Sequence, residues 1–137
     1  MTVKKTILCV DDEHSLSIHK LTLETRGYRV LACGTAAEAM NLLAHRRVDL
    51  VLSGMAIPDA QPHELVRLIK SHSPEMPIML LSSSRRICSV DAPVDLLLRK
   101  GYAPAELLEH IRLLLAKRRG TRRPAADSGI QDERPAC

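Results

Sequence analysis

The chain has 137 residues, enough for one domain around a single core, and its only aromatic residues are Tyr28 and Tyr102. No apolar run approaches the ~20 residues of a membrane span, the opening "MTVKKTILCVDDEH" lacks a secretory cleavage pattern, and Cys9, Cys33, Cys88 and Cys137 show no zinc spacing. These features argue against membrane and secreted classes, and the simplest expectation is a reduced, cytoplasmic protein; the net charge of +4 is concentrated late, since residues 1–116 carry 14 Lys/Arg against 13 Asp/Glu while five cations crowd into "KRRGTRR" at 117–123.

The first apolar run, "KTILCV" (5–10), reads as a strand in which Cys9 acts as a small hydrophobe. A helix is predicted over 15–26, closed by Gly27. The second strand is "YRVLAC" (28–33), and Thr35 with Glu38 forms a capping box for a helix over 35–46. "VDLVLS" (48–53) is the third strand, followed by a helix over 62–73 with Pro62 in its first turn. "PIMLLS" (77–82) and "VDLLLR" (94–99) complete five strands. Between them "SSRRICSVDAP" (83–93) should hold a helix, but its poor pattern predicts a short or irregular one. Pro104 opens a last helix over 104–119, in which Leu107, Leu108, Ile111, Leu114 and Leu115 form one stripe and Leu113 lies almost opposite. The sequence beyond has no periodicity, so residues 1–119 read as the domain and 120–137 as a basic, disordered tail.

Strands this continuously apolar suit a parallel sheet covered on both faces, and their alternation with helices implies a doubly wound α/β sandwich. In such sheets ligands collect beyond the carboxyl ends of the strands. Asp11-Asp12-Glu13, Ser53-Gly54, Ser82-Ser83-Ser84 and Arg99-Lys100 all reach that rim. Carboxylates, hydroxyls and a lysine together suit a divalent cation or a phosphoryl group. The acidic first loop is unlike a glycine-rich phosphate cradle, which argues against a flavin- or nucleotide-binding enzyme.

In chain order "ILCVDDEHSL", "VDLVLSGMAIP", "PIMLLSSS" and "LLLRKGYAPAELLEHI" resemble the motifs of a response-regulator receiver domain (CheY-like). The resemblance covers residues 4 to about 118. It implies a flavodoxin-like five-stranded sheet of order 2-1-3-4-5 with helices on both faces. It places Asp11 and Asp12 on the family's acidic pair, with Asp12 the direct metal ligand. Ser82 falls on the switch hydroxyl and Lys100 on the lysine that contacts the phosphoryl group.

The departures from the family pattern are specific. The phosphorylated aspartate falls on Gly54, four residues before Pro58, and glycine has no atom that can attack a phosphoryl donor. Strand alternation turns the neighbouring Ser53 to the other face, and Asp59 on the adjacent loop is a poor substitute. Without a carboxylate at 54 a magnesium site loses a ligand and the pocket loses a repulsion of about 4 kcal/mol. Mg2+ binding is therefore expected to be weak, no cofactor is required, and Lys100 is expected to contact the remaining carboxylates. Gly101 replaces a proline that carries a cis bond in the family; a non-proline cis bond costs about 2.5–4 kcal/mol, so a trans peptide is expected. Leu97 stands at the aromatic switch position and cannot swing as a ring does.

The six histidines show no ligand spacing and read as surface residues. Asp11-Asp12 also fits a plain strand-end turn that places charge at a helix N-terminus. The resulting expectation is a stand-alone, non-enzymatic pseudo-receiver of two-component phosphorelay signalling. It would act by protein–protein contact with a histidine kinase, another regulator or an output protein. The contact face would comprise 83–93, 94–99 and the last helix, including Tyr102 and Leu113. The alternative is a nucleic-acid-associated regulator using the tail at 117–123. A hydrolase or phosphotransfer enzyme lacks a nucleophile at the rim. The whole reading places residue 54 in the acidic cup, and another carboxylate standing at that place, within reach of Asp12 and Lys100, would undercut it.

Overall fold

A computed structural model describes residues 4–55, 57–82, 94–99 and 102–120. Five strands, β1 (Thr6–Val10), β2 (Arg29–Cys33), β3 (Leu50–Gly54), β4 (Ile78–Ser82) and β5 (Leu96–Arg99), form one parallel sheet in the order β2-β1-β3-β4-β5. The helices among the described residues are α1 (Glu13–Glu24), α2 (Ala36–His45), α3 (Pro62–His72) and α4 (Pro104–Gly120). The doubly wound architecture and strand order are those expected from the sequence.

Side-chain alternation divides the core into two layers. Leu8, Val10, Val51, Ile78 and Leu80 pack with Ala39, Leu43, Leu65 and Ile69 of α2 and α3. Ile7, Cys9, Leu50, Leu52, Met79 and Leu81 pack with Leu23 of α1 and Leu107 and Ile111 of α4. Leu108, Leu114 and Leu115 join that second layer, while Leu113 is 49% exposed. The α4 stripe therefore faces the sheet as its spacing requires.

The sheet is registered at its amino ends by two acids. Asp49 accepts the Thr6 N–H at 2.8 Å through its carboxylate, while its own N–H donates to the Thr6 carbonyl at 2.8 Å. Asp95 repeats the device on Ile78, accepting its N–H at 2.7 Å and donating to its carbonyl at 2.9 Å. Asp95 also accepts from Lys70 Nζ at 3.1 Å. Each acid follows a valine in a Val-Asp-Leu triplet and ties its strand to the neighbour.

Gly27 ends the turn after α1 with φ of +89°, in the left-handed region that glycine enters without steric cost. At the start of α2, Thr35 Oγ1 accepts from the Glu38 N–H at 3.1 Å. The Glu38 carboxylate reaches the Gly34 N–H at 3.1 Å rather than that of the cap residue. Gln61 and Glu64 form a full capping box at α3, which the sequence reading did not identify.

Candidate functional site at the carboxyl rim

Asp11 and Gly54 meet at the carboxyl ends of β1 and β3. The Asp11 N–H continues the β1 ladder by donating to the Cys33 carbonyl at 3.2 Å. That carries the strand alternation past Val10 and puts Asp11 on the same side as Ile7 and Cys9. Gly54 shares this side with Leu50 and Leu52. A Cβ built on Gly54 would lie 2.6 Å from both Cγ and Oδ2 of Asp11, and nearer still to Oδ1. The Asp11 carboxylate thus occupies the space where a side chain on residue 54 would begin.

Among the described residues, two groups hold Asp11 in that space. Its Oδ1 accepts the Asp12 N–H at 2.8 Å, and its Oδ2 lies 3.5 Å from His19 Nε2. Asp11 is 4% exposed and His19 5%. His19 is a correction to the reading of all histidines as surface residues. It falls with Leu16 and Leu23 at i, i+3 and i+7 spacing on the inward face of α1, and only its polarity disguised it.

A carboxylate therefore does stand at the critical place, but it comes from Asp11 and is sealed from solvent. Gly54 itself is buried, and the Asp11 carboxylate fills the space beside it.

Asp12 is used differently. Its Oδ1 accepts the Ser15 N–H at 2.8 Å and its Oδ2 accepts from Ser15 Oγ at 3.4 Å, making it the exposed N-cap of α1. This cap starts α1 at Glu13, two residues before the predicted boundary. The acid pair has split into a buried pocket filler and a helix cap.

Magnesium takes near-octahedral oxygen coordination and usually needs one or two carboxylates plus several waters. Among the described residues the donors are poorly disposed for it. Asp11 is buried, Asp12 is turned onto α1, and residue 54 supplies no oxygen from a side chain. No group of three or more His, Cys, Asp or Glu side chains poised for a metal occurs among the described residues.

Ser53 is buried, and its Oγ donates to the Gly54 carbonyl at 2.8 Å. Ser82 is also buried and lies one residue beyond Leu81, the register partner of Gly54. Leu97 packs half-buried against the α2/α3 layer, and Tyr102 packs half-buried against the α1/α4 layer. Burial raises the Tyr102 hydroxyl pKa, with the charge of Asp11 adding to it. Lys100, Gly101 and the 83–93 segment lie outside the described residues, as does the sequence after Gly120, so the expected Lys100–carboxylate contact falls there too.

Asp59 has a role that local spacing does not reveal. Its two carboxylate oxygens accept the N–H groups of Ala36 at 2.7 Å and Ala37 at 3.1 Å. Those are first-turn donors of α2 with no partner inside the helix. The bonds hold the Asp59 carboxyl below its ordinary pKa and pin the β3–α3 loop to α2. The contact joins residues more than twenty positions apart, beyond the reach of a capping motif.

The family model described as "Response regulator receiver domain" matches residues 7–112. A response regulator MprA from Mycobacterium sp. (strain KMS) is 33% identical over 129 residues, covering 90% of this chain and 53% of the relative. The chain thus spans about half the length of the curated relatives it matches. Among solved structures, a CheY-like receiver domain protein from Methanospirillum hungatei JF-1 gives a TM-score of 0.78 at 28% identity, covering 85% of this chain and 98% of that one. The signal receiver domain of an HD domain-containing protein from Pseudomonas fluorescens Pf-5 gives 0.79 at 26% identity, with coverage of 85% and 98%. Fold, rim and sequence agree: the chain belongs to the response regulator receiver domain family of two-component signalling.

Proposed function

We propose that this receiver works without phosphorylation at the position its family uses, and that it signals through protein–protein contact. One observation supports the reading most directly. Residue 54 has no side chain, and the Asp11 carboxylate has closed the space instead of leaving a pocket for a phosphoryl group and its cation.

An acyl phosphate forms when an accessible carboxylate oxygen attacks a phosphoryl donor. Asp11 is the carboxylate nearest to that role. Its burial shields both oxygens, and one already accepts the Asp12 N–H. The proposed contact surface is the β5–α4 side, where Leu113 is half exposed and Tyr102 half buried. Its occupant is a histidine kinase, another regulator or an output protein.

The test is incubation with a small-molecule phosphodonor and magnesium, followed by intact-mass measurement. The expected spectrum is that of the unmodified chain. A stoichiometric gain of about 80 Da would overturn the reading, and peptide mapping of that gain to Asp11 would identify a displaced acceptor.

A further inference from the structure

The end of the sheet opposite the acidic rim is basic and grooved. Two adjoining cavities of about 350 and 380 Å³ lie at the amino ends of the strands. Both are lined by Lys5, Arg46, Arg47 and Asp49, and the second adds Lys4 and Arg29. Among the described residues Asp49 is the acid in both linings, and it already accepts the Thr6 N–H and lies 3.7 Å from Arg47 Nε. Lys4, Arg29, Arg46 and Arg47 are exposed, the Arg47 side chain by 79%.

This cluster sits on a rigid base. The Arg29 N–H donates to the Lys5 carbonyl at 2.9 Å, the Asp49 N–H to the Thr6 carbonyl at 2.8 Å, and the Arg46 N–H to the Leu42 carbonyl at 2.8 Å. The cations therefore stand on the ends of β1, β2 and α2 and not on long loops. α4 runs back toward the same end, where Leu115 lines the first cavity, and its sequence continues with Lys117-Arg118-Arg119.

A plain account exists for some of this charge, because cations suit helix C-termini. It covers Arg46 and Arg47 after α2, but not Lys4, Lys5 and Arg29 at strand starts. We infer that this basic end is a platform for the phosphodiester backbone of duplex nucleic acid. Five cations around a groove offset by an already engaged acid match a closely spaced line of phosphates, whose bound counterions are released on contact. No aromatic side chain lines either cavity, so base stacking has no platform and the binding is independent of sequence. An acidic protein segment is less well matched, since the apolar lining residues Leu43, Val48 and Met76 are buried and Leu31 and Leu115 half-buried, while four of the five cations stand exposed.

The test uses the full chain and a fluorescein-labelled 20-base-pair duplex, followed by anisotropy between about 50 and 200 mM salt. The expected slope of log K against log salt is about −3 to −5, from roughly four or five phosphate contacts. Arg29→Gln/Arg46→Gln/Arg47→Gln should weaken binding at least tenfold and reduce the slope by about 3. Arg47→Gln alone, at an exposed position, should reduce the slope by about 1, which guards against a folding defect in the triple variant. A variant neutralising Arg118, Arg119, Arg122 and Arg123 should retain the groove's share of binding. The proposal is overturned if no duplex binding is seen at about 50 mM salt, or if the groove variants bind like the parent while the tail variant does not. It is likewise overturned if polyglutamate displaces the protein as effectively, charge for charge, as unlabelled duplex.

Discussion

The carboxylate of Asp11 lies where the first atom of a residue-54 side chain would be placed, and His19 backs it at 3.5 Å. Any side chain at 54 must therefore displace Asp11. Gly54→Ala should lower stability by about 1–3 kcal/mol, the usual cost of overfilling a packed site. In the Asp11→Ala background the same change should cost about 1 kcal/mol less, a coupling typical of touching residues. Urea midpoints of the four proteins of this cycle check both figures, and additive effects would contradict the packing described.

The same contact bears on any attempt to place a carboxylate at residue 54. Gly54→Asp alone should gain little phosphate from a small-molecule donor, because the new carboxylate competes with Asp11 for one space. Intact mass after incubation with magnesium measures it. Complete labelling of the single variant would show that Asp11 gives way readily.

Asp49→Ala should destabilise the fold by about 1–3 kcal/mol, since it leaves the buried Thr6 N–H without its acceptor. Asp95→Ala should cost less than a fully buried pair would, because the Asp95 side chain is 35% exposed and the Lys70 charge is partly screened. Lys70 also keeps its bond to the Met76 carbonyl. Denaturant titration ranks the two variants.

Asp59 gives a pH-dependent prediction with a definite sign. Its carboxyl pKa is lowered in the fold by the Ala36 and Ala37 N–H groups. The stabilisation is present above the unfolded carboxyl pKa of about 3.9 and disappears as pH falls through the lower folded value. Asp59→Ala should melt below the parent at neutral pH, and the gap should close in strong acid. Thermal melts across that range test it, and a gap independent of pH would remove the charge from the account.

Cys9 and Cys33 should be unreactive in the folded protein. Burial pushes the Cys9 thiol up to about 12, with Asp11 adding to the shift, and pushes Cys33 up to about 11. Alkylation at pH ~8, near the unperturbed thiol pKa, followed by peptide mapping should label neither until denaturant is added. Early labelling of Cys9 would show that the β1 layer opens.

Most of the fold was legible because its elements obey simple periods. The five apolar runs became the five strands, and the α4 stripe pointed inward. The boundaries shifted where side chains intervened. β3 and β5 begin two residues later than predicted because Asp49 and Asp95 turn toward their neighbours' backbones. α1 begins two residues earlier because Asp12 caps it. At the site, the absence of a side chain on residue 54 is plain in the sequence, but what fills the space beside it is not. It depends on Asp11 and His19 meeting across two elements, and on a histidine at a position where periodicity alone would ask for an apolar residue. Asp59 was equally hidden, since its partners lie on another helix.

The paired Val-Asp-Leu clasps carry one more implication. They fix strand alignment at the pole farthest from the Asp11–Gly54 rim, using atoms that the rim never needs. A lineage could lose its acceptor at the opposite pole and still inherit an intact sheet. The anchors of this architecture and its reactive equipment sit at separate addresses, so decay of one leaves the other standing.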